Sequence, residues 1–204
     1  MTNKERMLSG KLYLASDGEL LNARRQNRSM LEEFNQTSWR DGKRRGYILK
    51  GLFNKTGKYL YIEPPFYCDY GSNISVGESF YANFGCTILD VAEVVIGNNV
   101  FFGPRVIVTT ASHPIDASVR NSQLEYGLPV HIGNDVFIGA GVIINPGVTI
   151  EDDVVVGSGS VVTHNLESHA VYAGNPAKKI RDITDEEREY WKKEEELYRK
   201  EMEK

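Results

Sequence analysis

Apolar residues in the middle of this chain return at every sixth position. Ile96, Phe102 and Val108 set the phase, and Ile132, Ile138, Ile144, Ile150, Val156 and Val162 resume it after a gap. The residue after each is usually small or turn-forming (Gly97, Gly103, Gly133, Gly139, Asn145, Gly157). A second small aliphatic follows four places on, at Val100, Val106, Val136, Val142, Val148 and Val154. An earlier stretch, Val76, Ala82 and Ile88, keeps the same interval two residues out of phase. A helix, with 3.6 residues per turn, would scatter these side chains around its axis. A β-sandwich alternates with period two and would not hold a six-residue phase across a gap. A short extended segment followed by a corner does fit, because it returns one residue type to one inward place.

Three such segments close a triangular coil, and coils stacked at the strand spacing turn each inward place into a buried column. One coil cannot cover its own apolar face, so several are needed. The phase predicts about four: Val76/Ala82/Ile88, Ile96/Phe102/Val108, Ile132/Ile138/Ile144 and Ile150/Val156/Val162. The fold class is therefore mainly β, a parallel β-helix of triangular section. The step from Val108 to Ile132 is one hexapeptide plus one whole coil's worth of chain, so a loop over residues 112–129 leaves the prism while the phase survives. Ile132 is then expected directly over Ile96. A long irregular loop on a rigid scaffold is more often functional than accidental, and this one carries His, Asp, Arg, Glu and Tyr.

The flanks read differently. Residues 1–58 form a helical N-terminal segment, with Leu21, Arg24, Arg25, Arg28, Leu31 and Phe34 at helical spacings. Residues 59–183 are the repeat domain. Residues 184–204 open with Thr184 and Glu187 in capping-box spacing and continue as a charged helix with a stripe of Tyr190, Trp191, Leu197, Tyr198 and Met202. That stripe is expected to pack on the prism end or on a neighbouring subunit.

With 204 residues the chain suits one sizeable domain with a smaller appendage, and its net charge of −4 argues against nucleic acid and anionic membranes as partners. The run Arg40, Lys43, Arg44, Arg45 reads as a solvated face. Cys68 and Cys86 make no disulfide framework and read as small buried thiols. The N-terminus lacks a signal-peptide pattern, and no segment approaches the ~20 apolar residues of a membrane span. A soluble, cytoplasmic protein is expected.

Four histidines are present: His113, His131, His164 and His169. Histidine is the default general base near neutral pH. His113 stands at the root of the extruded loop before Pro114, where coil geometry calls for no histidine. His131 lies at an outward, exposed position. His164 and His169 lack a third histidine at a coil multiple, and no Cys/His cluster exists, so no metal site is expected. Asn83 sits outward after Ala82 and Asp17 has helix-cap spacing, both ordinary readings. Asp69 and Asp90 flank the first coil and are equally ambiguous.

The rhythm, the loop ASHPID, the run IGNDVFIGAGVIINPGVTI and the closing AGNPAKKIR resemble the hexapeptide-repeat acyltransferases. Within that family, GKLY…D, YIEPPFYCDYGSNI, YANFGCTILDV and HPIDASVRNS are similar to the maltose O-acetyltransferases, beside the galactoside O-acetyltransferases. The likeness spans residues 3–183. It implies a left-handed parallel β-helix, a homotrimer with sites between adjacent prisms, and metal-free transfer of acetyl from acetyl-CoA to a sugar hydroxyl.

In that frame His113 matches the catalytic histidine and Asn83 a residue that positions the acceptor. Asp69 and Glu125 fall at acceptor-pocket positions, and Asp17 is a sugar-hydroxyl contact. The CoA contacts fall on Ala140, Ser158, Thr163, His164, Lys178 and Arg181, the last two as a basic pair for phosphates. Ala140 replaces a serine of the galactoside enzymes and His164 a common lysine. Glu125 departs from the galactoside pattern and favours a glucosyl-type acceptor. The competing readings are another acceptor, such as a galactoside, and a non-catalytic β-helix serving as an assembly module.

Overall fold

The computed structural model describes residues 1–203 and shows three parallel sheets closed into a prism. Face one stacks Lys55–Thr56, Ile74–Val76, Val94–Ile96, Val130–Ile132 and Thr149–Ile150. Face two stacks Tyr61–Ile62, Tyr81–Ala82, Phe101–Phe102, Phe137–Ile138, Val154–Val156 and Ala170–Ala173, closed by the antiparallel Lys178–Asp182. Face three stacks Tyr67–Cys68, Thr87–Leu89, Ile107–Thr109, Ile143–Ile144 and Val161–Val162. Ile132 pairs with Ile96 across the loop, so the phase is preserved as expected.

The prism has five complete coils, one more than the aliphatic rhythm counts. The extra one is Thr56/Ile62/Cys68, paired beneath Val76, Ala82 and Ile88. Its first inward residue is a threonine, which broke the apolar pattern. The two-residue phase slip also has a place. On the edges between faces one and two and between faces two and three, each step is six residues. On the edge from face three back to face one the steps run 68→76, 88→96, 108→132 and 144→150. All irregularity, including the loop, is confined to that third edge.

Corners are tight where coils stack. A Cβ on Gly139 would lie 2.6 Å from the Ser158 nitrogen in the next coil, so no side chain fits there. The N-terminal segment contains α1 (Asn3–Leu8), α2 (Gly18–Asn35) and α3 (Gly42–Leu52). Leu31, Phe34, Ile48, Leu49 and Leu52 share one core with the prism aliphatics. The first coil has no coil beyond it, and α2 satisfies its open backbone. Asn35 exchanges hydrogen bonds with Phe66 (2.8 and 3.0 Å), and Asn27 donates to the Cys68 and Asp69 carbonyls (2.9 and 3.0 Å). Arg45 departs from the solvated reading: it is buried and paired with Glu63 at 3.1 Å. Both cysteines are free and buried.

The loop contains α4 (Ala117–Asn121), and α5 (Asp185–Met202) begins with the expected Thr184–Glu187 capping box. The α5 stripe does not pack on the prism end: Tyr190, Trp191, Leu197, Tyr198 and Met202 are all exposed on the single chain. Among the described residues no helix is long and apolar enough to cross a membrane.

Candidate active site

His113 follows the strand Ala111–Ser112, which pairs antiparallel with Leu124–Gly127, Ser112 facing Tyr126. On its other side Leu124–Gly127 pairs with Tyr13–Leu14 of the N-terminal segment, Tyr13 facing Glu125. The pairing ends at Ser112, and His113 is the next residue along the chain. Opposed residues of antiparallel strands project from the same face with Cβ atoms about 5 Å apart. Tyr13 and Glu125 therefore share one face of this small sheet, and His113 lies just past its end. The Tyr13 hydroxyl donates to Glu125 Oε2 at 2.9 Å, and burial followed by that carboxylate holds its phenol far above the usual range. Arg120 pins the chain after His113 by donating to the Pro114 and Ile115 carbonyls, each at 2.9 Å. His113 itself is exposed on the single chain.

Asp69 stands on the same third edge. Burial pushes its carboxyl up; Arg24 opposes that shift and Glu125 adds to it. Arg24 donates to the Tyr70 hydroxyl (2.6 Å) and the Ala15 carbonyl (2.5 Å), tying α2 and the first strand to this corner. The Tyr70 phenol is pushed up to about 12, mainly by burial, with Arg24 opposing. Tyr13, Tyr70 and Val91 join Met7 and Leu20 in a satellite core under the cluster. Asp69, Glu125 and Arg24 are thus electrostatically coupled at this corner, and the exposed His113 lies on the loop whose strand pairs beside it. Tyr13, Arg24 and Tyr70 carry no mark of a site in the sequence. Their signal there was only apolar or helical spacing.

Asp17 is the N-cap of α2, its carboxylate accepting from Glu19 N (3.0 Å) and Asn3 Nδ2 (3.1 Å). Thr163 and His164 lie on the third edge at the far end of the prism, joined at 2.7 Å between Oγ1 and Nδ1. The other expected residues are elsewhere. Asn83, Ala140 and Ser158 lie on the edge between faces two and three, one face away, or about 15–20 Å at ~3.3 Å per residue. Asn83 Oδ1 accepts from Phe84 N (2.7 Å), which leaves its amide NH2 as a donor. Below Asn83 the ladder carries only Gly103, Gly139, Gly157 and Ala173, a strip without bulk that ends at Lys178.

The basic pair depends on a bulge. Val171 faces Arg181 while Tyr172 faces Lys179, so Ile180 is an extra residue. It brings Lys178 and Arg181, opposite Ala173 and Val171, to the same outer face. Arg181 is held by Glu187 at 2.5 Å. His131 is exposed on face one. Among the described residues, no three His, Cys, Asp or Glu side chains converge as metal ligands would.

Residues 6–57 match the maltose acetyltransferase hexapeptide capping motif, and residues 129–164 match the bacterial transferase hexapeptide family of six repeats. The galactoside O-acetyltransferase of Escherichia coli is 39% identical over 94% of this chain and 94% of its own length. This chain belongs to the hexapeptide-repeat acetyltransferases. Among solved structures, a maltose O-acetyltransferase from Clostridium difficile 630 superposes with a TM-score of 0.90 at 49% identity, covering 91% of this chain and 99% of that one. A galactoside acetyltransferase in complex with coenzyme A gives 0.89 at 39% identity, covering 92% and 94%. The prism is accordingly the left-handed parallel β-helix of the hexapeptide-repeat acetyltransferases, with helices at both ends.

Proposed function

We propose that this chain transfers an acetyl group from acetyl-CoA to a hydroxyl of a sugar such as maltose or glucose, in the cytoplasm, with His113 as general base. Acetyl-CoA supplies the activated thioester carbonyl. The His113 imidazole takes the proton of the acceptor hydroxyl as that oxygen attacks the carbonyl, then returns a proton to the departing thiolate sulfur. Asp69, Glu125 and Asp17 orient the sugar. The observation that supports this reading is that His113 directly follows the strand paired with Leu124–Gly127, whose Glu125 is bound by the Tyr13 hydroxyl and lies close enough to raise the Asp69 carboxyl.

The division of the remaining residues between two edges supports a homotrimer. The third edge of one copy offers the base and the acceptor pocket, while the second edge of the next offers Asn83, Ala140 and Ser158. Face two carries an outward column of Tyr61, Tyr81, Phe101 and Phe137 beside Asn83, each 43% exposed or more except the half-buried Tyr81. Tyr61 and Tyr81 stack at 6.0 Å, turning ring edges outward, as suits packing against another copy. The bare strip from Asn83 to Lys178 spans five strand spacings, about 24 Å. It suits an extended thioester arm, with Lys178 and Arg181 placed for its phosphates. The Ala140 carbonyl is taken by Gly159 N at 2.8 Å, which leaves its amide for that arm.

An acceptor screen with acetyl-CoA, comparing maltose, glucose and galactosides, tests the substrate class. His113→Ala lowers turnover by about two to four orders of magnitude with the assembly intact. Near-normal turnover in that variant removes the mechanism.

A further inference from the structure

Asp90 carries a carboxylate for which the proposed reaction has no use, yet it is completely buried. It lies on the third edge, beneath Asp69 and Tyr70. Oδ1 accepts from Asp69 N (3.0 Å) and Tyr70 N (2.9 Å), and Oδ2 from Asn73 N (3.3 Å). The Asn73 side chain donates back to the Asp90 carbonyl at 2.7 Å. This turn takes eight residues where every corner on the other two edges takes six, so its N–H groups leave the strand ladder and need another acceptor. A buried carboxylate is a costly way to supply one. What it secures is specific: the backbone of Tyr70, whose hydroxyl accepts from Arg24, and of Asp69, whose carboxylate is electrostatically coupled to Arg24 and Glu125.

We infer that Asp90 is a positioning residue for the sugar acceptor, clamping the 69–73 corner so that Asp69 and Tyr70 face Arg24, Tyr13 and Glu125. The inference rests on the acetyltransferase reading above. Its reach is limited to the third edge, because no bond of the clamp touches Asn83, Ala140, Ser158 or Lys178. Acceptor binding therefore depends on it and acetyl-CoA binding does not.

Asp90→Asn keeps the shape but removes the charge and one acceptor oxygen. The acceptor KM rises about tenfold while the KM for acetyl-CoA stays within about twofold. Hydrogen exchange by mass spectrometry over residues 67–75 quickens by about tenfold or more. Adding Asp90→Asn to Asp69→Asn costs little further acceptor affinity, because both act through one carboxylate. An unchanged acceptor KM, a parallel rise for acetyl-CoA, or full additivity with Asp69→Asn overturns the inference. Should Asp90→Asn fail to fold, Asn73→Ala loosens the clamp from its other side with the carboxylate intact. It must raise the acceptor KM in the same sense, and no change there also overturns the inference. If the wild-type chain acetylates no sugar, the function proposed above falls, while the exchange measurement still reads the clamp.

Discussion

On the proposed trimer, two variants that are each crippled should restore one another when mixed, because the third edge of one prism then completes its site with the second edge of the next. His113 lies on the third edge and Asn83 on the second, a full face apart. In a cyclic trimer every contact is head-to-tail, so each cleft takes its third edge from one chain and its second edge from the next. His113→Ala alone should lie about two to four orders below wild type. Asn83→Ala, which loses one ligand hydrogen bond, should lie about tenfold to a hundredfold below. Unfolding equal amounts together and refolding them assorts the chains at random. A cleft is whole when the Asn83→Ala chain gives the third edge and the His113→Ala chain gives the second. Two independent halves make that about one cleft in four, so activity should recover to about a quarter of wild type. Pairing His113→Ala with Glu125→Ala, both on the third edge, should recover nothing. An acetyl-transfer assay on the purified mixtures decides the matter. Recovery no greater than the mean of the two parents would show a site closed within one chain and refute the two-edge arrangement.

The core and the buried acid give two further expectations. Phe102, 1% exposed, stacks between Ala82 and Ile138 and meets Phe80 edge-on at 5.2 Å. Phe102→Ala should cost about 3–5 kcal/mol in denaturant unfolding, and a loss under about 1.5 kcal/mol would mean that the coils collapse around the gap. Burial pushes the Asp90 carboxyl up to about 7, against the Tyr70 N–H bond that lowers it. The unfolded chain ionises such a group near 4. Between about pH 4 and 7 the native state holds a proton that the unfolded state has released, so stability falls as pH rises through that window, by up to ~4 kcal/mol. Asp90→Asn should flatten this slope in urea titrations, and identical slopes in both proteins would contradict the assignment.

Period and phase were legible because each inward residue is selected by the same buried column. That is why Val108 and Ile132 could be joined across a loop, and why Ile132 does sit over Ile96. The first coil escaped notice because Thr56 occupies the place of an aliphatic and Cys68 passed for an isolated thiol. The N-terminal contribution to the site was not legible. Tyr13 and Glu125 are more than a hundred residues apart, and only the antiparallel pairing on the loop brings them to 2.9 Å. Arg24 looked like one of several arginines on a helix face until its bonds to Tyr70 and Ala15 singled it out. Asp90 was ambiguous for a related reason: an acidic residue at a corner usually faces water, and nothing in its neighbours announces burial.

The confinement of the extra turn residues between the five coils to one edge bears on how such a protein can change over time. Chain added or removed between faces three and one leaves each aliphatic in its column, because the strand that follows resumes the same register. Selection can therefore lengthen, shorten or exchange those turns to suit a new acceptor while the columns of the prism stay in register.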